Sequence, residues 1–175
     1  AFLKSIPGPL WTARIGLIVV FVLHIILALK LKMENNAARP VSYKSKNTQR
    51  ASLASRFMAQ TGVLILAFVI YHLLHFTFGQ IEPNGFALTD DKGRHDVYGM
   101  VIHSFKNPLI AASYIVAMFF LALHLVHAVQ SMLQTFGLTG EQSRSTVDKV
   151  SVGFAVFIFA GYSAIPVAIL SGLIR

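Results

Sequence analysis

The sequence predicts an all-α integral membrane protein, a helical bundle with four transmembrane helices. Of its 175 residues, 55% are hydrophobic and 13% are charged, and the mean hydropathy is +0.64. A soluble domain of this length carries about twice that charged fraction. Four apolar runs reach the roughly 20 residues that are needed to cross the hydrocarbon core of a bilayer. We therefore expect a single transmembrane domain over residues 1–175.

The first two predicted spans cover residues 11–31 and 57–78. Trp11 suits the lipid–water interface at the start of the first span. Residues 1–10 contain two prolines and a glycine, which predicts a loop before that span. Because the first residue is Ala1 and no signal peptide is visible, we expect the chain to begin partway through a longer protein.

The third and fourth predicted spans cover residues 108–136 and 150–174. Pro108 and Gly137 flank the third span, and these residue types are typical of a helix start and a helix stop. Pro166 lies within the fourth span, where proline predicts a kink.

The connections between spans differ in charge and so predict a topology. Residues 30–56 carry one acid, Glu34, and seven basic residues: Lys30, Lys32, Arg39, Lys44, Lys46, Arg50 and Arg56. Acidic residues outnumber basic ones over residues 80–107. The positive-inside rule places the 30–56 connection in the cytoplasm, together with residues 137–149, and the C-terminus outside. The formal net charge of +8 therefore indicates membrane topology and no nucleic-acid partner.

The chain contains no cysteine, which excludes several kinds of redox centre. Disulfides, zinc–thiolate sites, iron–sulfur clusters with cysteine ligands and covalently attached c-type haem all need cysteine. Any redox centre on this chain must be held by other side chains.

Histidine is the residue type that points to such a centre. Five of the seven histidines lie in predicted spans: His24, His72, His75, His124 and His127. Polar groups are costly in lipid, so they face the bundle interior and find partners there. A lone histidine in a span is most often an interhelical hydrogen bond. Five of them, with no carboxylate in the spans, favour haem binding.

The depths of the histidines predict which of them pair. At roughly 1.5 Å per residue, His24 lies about 12 Å from the cytoplasmic end of its helix and His124 about 15 Å from that end of its own. The two helices run in the same direction, so His24 and His124 match in depth. We predict that they ligate one haem iron, because bis-histidine ligation fills both axial positions and favours electron transfer.

His72 lies near the opposite face, about 24 Å from Arg56 by the same rise. No other helix of the chain offers a histidine at that depth, so a second haem here would need a ligand from an absent, preceding helix. His75 and His127 each follow a predicted ligand by three residues and share roughly its helix face. Each is an alternative ligand, a propionate donor or an ordinary interhelical contact.

Several segments resemble a known family: FVLHIILALKLKMENNAARPVSY, SRFMAQTGVLILAFVIYHLLHF, DVYGMVIHSFKNP and ALHLVHAVQSMLQTFGL. They are similar to the cytochrome b membrane anchor of single-anchor, di-haem succinate dehydrogenases and fumarate reductases. That family has five spans, and this sequence resembles it from just before the second span to the end. The resemblance implies that His24 and His124 hold the cytoplasmic-side haem b and that His72 ligates the outer haem b.

The resemblance also implies partners and a location. Succinate oxidation would occur on a flavoprotein subunit, and an iron–sulfur subunit would carry electrons to this anchor in the inner (cytoplasmic) membrane. The chain has neither a glycine-rich flavin motif nor cysteine, so we expect no succinate-oxidising site on it. The quinone that exchanges electrons with the anchor would be menaquinone.

Four further residues are candidate contacts. Gln130, Ser131 and Gln134 could line a quinone pocket near the cytoplasmic face or bridge helices. Arg56 could pair with a haem propionate, with an acidic partner or with lipid headgroups. Three other functions remain open: the cytochrome b subunit of a formate dehydrogenase or hydrogenase, a non-redox transporter or proton channel, and an anchor without haem.

Overall fold

The computed structural model describes residues 7–38 and 53–175. In these two segments the regular structure is helical, apart from one bridge between Thr89 and His95. Four of the described helices are long and apolar enough to cross a membrane: Gly8–Ala37, Met58–Thr77, Pro108–Thr135 and Arg144–Leu170. The predicted all-α membrane fold with four spans is confirmed. By its internal contacts the chain divides into two compact units, Ala1–Gln49 and Arg50–Arg175.

The described part of the first unit is one helix, α1 (Pro7–Ala37). The predicted loop over residues 1–10 is wrong from Pro7 onward, because proline occupies the first helical position readily. The helix also continues beyond residue 31. Lysine, methionine and glutamate favour helix, and Lys30 Nζ lies 3.8 Å from Glu34 Oε1 one turn along. Most of the predicted cytoplasmic connection, residues 39–52, lies outside the described residues.

The second unit begins with α2 (Leu53–Arg56) and α3 (Met58–His72), which continues directly into a π-helical turn over Leu73–Thr77. In this π-turn the backbone N–H of Phe78 donates to the carbonyl of Leu73 at 2.9 Å, five residues back. The extra residue per turn rotates the side chains that follow. Gly79 then ends the span with a φ of +66°, at a point where a Cβ would collide with the Phe86 ring.

The predicted connection over residues 80–107 contains two helices, α4 (Pro83–Phe86) and α5 (Val97–Phe105). The Asp96 side chain caps α5 by accepting a hydrogen bond from the backbone N–H of Gly99 at 3.0 Å. Helix α5 buries four of its residues, Met100, Ile102, Ser104 and Phe105, against the bundle. The predicted connection between the second and third spans therefore contributes a packed helix to the bundle.

The last two spans are α6 (Pro108–Thr135) and α7 (Arg144–Leu170). Helix α6 begins and ends as predicted: the Asn107 side chain caps its start, and Gly137 follows its end with a φ of +72°. Helix α7 begins six residues earlier than predicted, because its first polar turns are also helical. It continues past Pro166 and ends before Gly172, where φ is +75°.

Small side chains allow α7 to pack closely in the second unit. Ser151 and Ala155, four residues apart on α7, are 0% and 1% exposed, and Ala111 on α6 is 0% exposed. Small residues at this spacing let the backbones of two helices approach each other closely, which matters in lipid because no hydrophobic driving force brings helices together there. The main buried cluster lies where α3, the π-turn, α5, α6 and α7 meet, and consists of Ile102, Phe105, Ile110, Ala111, Tyr114 and Ile169.

Candidate functional site

His124 lies on α6 and faces α3. Its Nδ1 is 3.1 Å from the hydroxyl oxygen of Thr61, and Thr61 is 2% exposed. The next residue on α3 is Gly62, and a Cβ built there would lie 3.6 Å from Cε1 of the His124 ring. The edge of the imidazole that carries Nδ1 is therefore held against α3.

His127, one turn further along α6, has a different environment. Its Nε2 lies 3.1 Å from the hydroxyl oxygen of Ser131, four residues away on the same helix. Both residues line a cavity of about 580 Å³. Small-molecule sites typically occupy about 300–1,000 Å³, so this cavity has room for an organic ligand.

The cavity brings together the three residues predicted to contact quinone with residues from other elements. Its lining comes from α2, the second half of α6, the α6–α7 loop and the start of α7: Ser55, His127, Gln130, Ser131, Gln134, Thr139, Gly140, Glu141, Arg144, Val147 and Asp148. The Gln130 side-chain N–H donates to Asp148 Oδ1 at 2.9 Å and so connects α6 with α7.

Thr139 adds a hydrogen-bonding group to this cavity. Its hydroxyl oxygen is buried, and among the described residues it is one of two buried side-chain hydroxyls without a hydrogen-bond partner, the other being Ser163. Leaving a buried polar group unpaired costs free energy, so this hydroxyl is available to hydrogen-bond with a molecule that enters the cavity.

His75 lies in the π-turn and is 1% exposed. Its Nδ1 lies 2.9 Å from the Tyr114 hydroxyl, and its Nε2 lies 3.0 Å from the Ser104 hydroxyl. The ring also stacks on Phe76, with 4.0 Å between centroids. Because both ring nitrogens are hydrogen-bonded, this arrangement favours the interhelical contact over the alternative of a haem ligand for His75.

His72, the last residue of α3, is exposed on the surface of the second unit. Three aromatic rings lie beside its imidazole: the distances between ring centroids are 6.1 Å to Phe68, 5.6 Å to Phe76 and 6.0 Å to Tyr114. These contacts with α3, the π-turn and α6 restrict the side chain, and the imidazole stays at the surface of the unit. A group bound by His72 would therefore lie outside this unit's core.

The two remaining predicted site residues lie near the first connection or before it. His24 is on α1, in the unit Ala1–Gln49. Arg56 is exposed at the end of α2. The assignments of His24 to haem and of Arg56 to a propionate or partner stay predictions.

Comparison with protein families identifies the chain. Residues 34–162 match the succinate dehydrogenase/fumarate reductase transmembrane subunit. The chain belongs to this family. The match covers well over half of the chain, including His72, His124 and the cavity residues, and it begins after His24. Comparisons with curated proteins and with solved structures gave no significant match.

Family membership decides the coarse function. The chain is a multi-pass membrane subunit of succinate dehydrogenase/fumarate reductase, and it associates in the membrane with the other subunits of that complex. It is the membrane anchor of the enzyme. This result favours the prediction of a succinate dehydrogenase anchor over a formate dehydrogenase or hydrogenase subunit and over a transporter.

The environment of His124 fits the requirements of a haem ligand. A histidine that binds a metal through one ring nitrogen commonly donates the other N–H to a fixed acceptor, which sets the orientation of the ring. Thr61 offers such an acceptor to Nδ1. Gly62 keeps a side chain away from the adjacent ring edge.

Sequence reasoning missed the partners that distinguish the histidines. Thr61, Ser104 and Tyr114 are the hydrogen-bond partners of His124 and His75, and none of them carries a motif. A hydroxyl residue beside a glycine within an apolar span, as at Thr61 and Gly62, is the signal that could have marked one of them. Thr139 carries no comparable signal, because its isolation depends on the path of the α6–α7 loop.

Proposed function

We infer that this subunit passes electrons between an iron–sulfur subunit and quinone through haem b bound by His124. The observation that carries this inference is the Thr61–His124 hydrogen bond, since a half-buried histidine held at Nδ1 presents the chemistry of a ligating imidazole. When bound, haem b supplies a one-electron redox centre. The chain itself would supply the imidazole of His124, held by Thr61 on the neighbouring span.

His24 is the proposed second axial ligand of that haem. The support comes from the sequence: His24 and His124 match in depth, and both correspond to ligating positions in the di-haem anchors that the sequence resembles. Two neutral imidazoles leave no open position on the iron, which suits electron transfer.

A second haem b is proposed at His72, which would supply one of its ligands. The exposed imidazole, fixed by aromatic neighbours, fits a ligand shared with another element. Two haems at different depths would carry electrons across the bilayer. The membrane potential would then act on the reaction, at about 2.3 kcal/mol per charge and 100 mV.

Replacing His72 with alanine tests the second haem. We expect the complete complex to lose one haem and one of two steps in a redox titration, because His72 would supply one of the nitrogens that hold that haem. His103→Ala is the control, since His103 is exposed on α5 and pairs with Glu82 at 3.6 Å. A His72→Ala complex with both haems and both redox steps would contradict the assignment.

The proposed quinone site is the cavity at the α6–α7 end of the bundle. Ser131 and Gln134 offer donors on one wall, and the unpartnered hydroxyl of Thr139 offers another. A quinone presents two carbonyl oxygens that accept hydrogen bonds. Menaquinone is the proposed ligand, on the resemblance to two-haem anchors.

Removing one donor from the cavity tests the quinone site. We expect Thr139→Val to raise the KM for quinone about fivefold to tenfold, as one hydrogen bond of about 1 kcal/mol is lost. Succinate oxidation with an artificial dye should keep its rate, because the dye does not need the cavity. Ser163→Ala is the matched control, since that hydroxyl is also buried without a partner but does not line the cavity. An unchanged KM in both variants would place quinone elsewhere.

The iron–sulfur subunit, with the flavoprotein subunit behind it, is proposed to dock on the cytoplasmic side. The basic excess of residues 30–56 would meet an acidic surface there and steer assembly. The cavity lies near the end of α6 that the charge pattern places on the same side. Electrons from the iron–sulfur subunit would then reach the cavity and His124 by short paths.

A further inference from the structure

The hydroxyl group of Thr61 lies between two polar atoms in the interior of the second unit. Its oxygen is 3.0 Å from the carbonyl oxygen of Met58 and 3.1 Å from His124 Nδ1. Thr61 is 2% exposed, so water does not compete for these contacts. The hydrogen atoms in these two contacts therefore come from the Thr61 hydroxyl and the His124 imidazole.

Counting hydrogens assigns a direction to each bond. A carbonyl oxygen only accepts, and the threonine hydroxyl has one hydrogen, so the hydroxyl donates that hydrogen to Met58. The Thr61 oxygen then accepts from His124, which requires the hydrogen of the neutral imidazole to be on Nδ1. This arrangement makes two hydrogen bonds. The opposite tautomer, with Thr61 donating to Nδ1, makes one and gives up the bond to Met58.

We propose that Thr61 is a positioning residue that holds His124 in its Nδ1–H tautomer and directs the Nε2 lone pair to the haem iron. The proposal rests on the proposed function of His124 as an axial ligand. It extends that function to α3, because the α6 imidazole is oriented by a hydroxyl on a neighbouring span. Gly62 completes the support by leaving the ring edge at Cε1 uncrowded.

The hydrogen bond has an electronic consequence as well as a geometric one. An imidazole that donates its Nδ1–H to an acceptor gains electron density and becomes a more basic ligand. A more basic ligand stabilises ferric iron more than ferrous iron. Thr61 should therefore hold the midpoint potential of this haem below the value that it would have with an unsupported histidine.

The test compares Thr61→Val with Thr61→Ser in the complete, membrane-extracted complex. Valine keeps the shape and removes the acceptor, whereas serine keeps it. We expect Thr61→Val to bind the haem about 10- to 100-fold more weakly and to raise its midpoint potential. If the affinity for ferric haem alone falls tenfold, the midpoint potential rises by about 59 mV. The low-spin ferric EPR signal should also shift, and Thr61→Ser should restore all three properties.

The outcomes separate this proposal from the one on which it rests. If His124→Ala loses the haem while Thr61→Val keeps the wild-type potential and EPR signal, the role of Thr61 is refuted and that of His124 stands. If His124→Ala also keeps the haem, the proposed function itself fails. Should Thr61→Val not assemble, Gly62→Val and Gly62→Ala decide, because only the branched side chain extends toward the ring. An EPR signal that changes in Gly62→Val but not in Gly62→Ala supports the proposal that α3 orients the His124 ring at Thr61 and Gly62. Wild-type EPR signals in both variants overturn it.

Discussion

Replacing His124 with alanine is expected to remove one haem b from the complex without preventing assembly of the membrane subunit. Alanine is a good helix former, so α6 should persist without the contact between the ring and Thr61. Loss of an axial nitrogen leaves the iron with one protein ligand, which does not hold haem b tightly. His24→Ala should have the same effect, because each axial ligand is needed.

His127→Ala is the matched control for this experiment. His127 lies on the same helix, three residues along, and its Nε2 is hydrogen-bonded to Ser131 beside the cavity. We expect this variant to retain haem b and to show its effect in the KM for quinone. The measurement is a pyridine haemochrome assay on purified complex, normalised to flavin. Haem lost from His127→Ala and kept in His124→Ala would exchange the two assignments.

Replacing His75 with leucine is expected to destabilise the second unit by roughly 2–4 kcal/mol. The substitution leaves the buried hydroxyls of Ser104 and Tyr114 without their shared partner, and each unpaired group costs about 1–3 kcal/mol. The lower part of this range is realistic, because hydrogen bonds in membrane proteins contribute on average about 0.6 kcal/mol in double-mutant cycles. Loss of the stacking on Phe76 adds to the effect.

His103→Leu provides the contrast, since His103 is on the same α5 segment as Ser104 but is exposed. Its contact with Glu82 is a surface pair at 3.6 Å, and such pairs contribute about 0–1 kcal/mol. Reversible unfolding in mixed micelles, followed by circular dichroism, measures the difference. We expect the haem content per assembled complex to stay unchanged in His75→Leu. Equal stability of His75→Leu and His103→Leu would contradict the structural role of this histidine.

The number of spans and several of their ends could be predicted because they depend on local chemistry. Long apolar runs, Pro108 at a helix start and Gly137 after a helix end act through the chain's own backbone. Both ends of α1 and the start of α7 were predicted too short, because polar residues such as Lys32 and Arg144 leave the apolar run without leaving the helix. The end of α7 was predicted four residues too long, since the helix stops at Leu170 before Gly172. Apolarity marks the hydrocarbon boundary, and helix formation continues past it.

The π-turn and α5 show where local signals fail. The π-turn over Leu73–Thr77 has one extra residue per turn, which leaves the apolar pattern of the sequence nearly unchanged. The hydrogen bonds of His75 to α5 and α6 stabilise this turn. Helix α5 was predicted as part of a loop, although Asp96 is a standard N-cap residue before an apolar stretch. Its length of nine residues was too short to be read as a span.

The candidate site divides in the same way. Sequence reasoning predicted which histidines lie in the membrane and placed Gln130, Ser131 and Gln134 together, because residues on one helix have a fixed spacing. It favoured His72 over His75 as a ligand but left three roles open for His75, since the environment of His75 depends on Ser104 and Tyr114 from other elements. The same limit explains why Asp148 and Thr139 joined the cavity only in three dimensions.

The most direct test of the haem-carrying anchor is the ratio of haem b to flavin in the complex purified through a tag on this chain. We predict two haem b groups per flavin. This haem b should be reduced when succinate is added and reoxidised by quinone. A complex that contains flavin and oxidises succinate, but holds no haem b, would contradict the account. The chain would then be an anchor without haem, and the histidines in its spans would serve the packing of the helices.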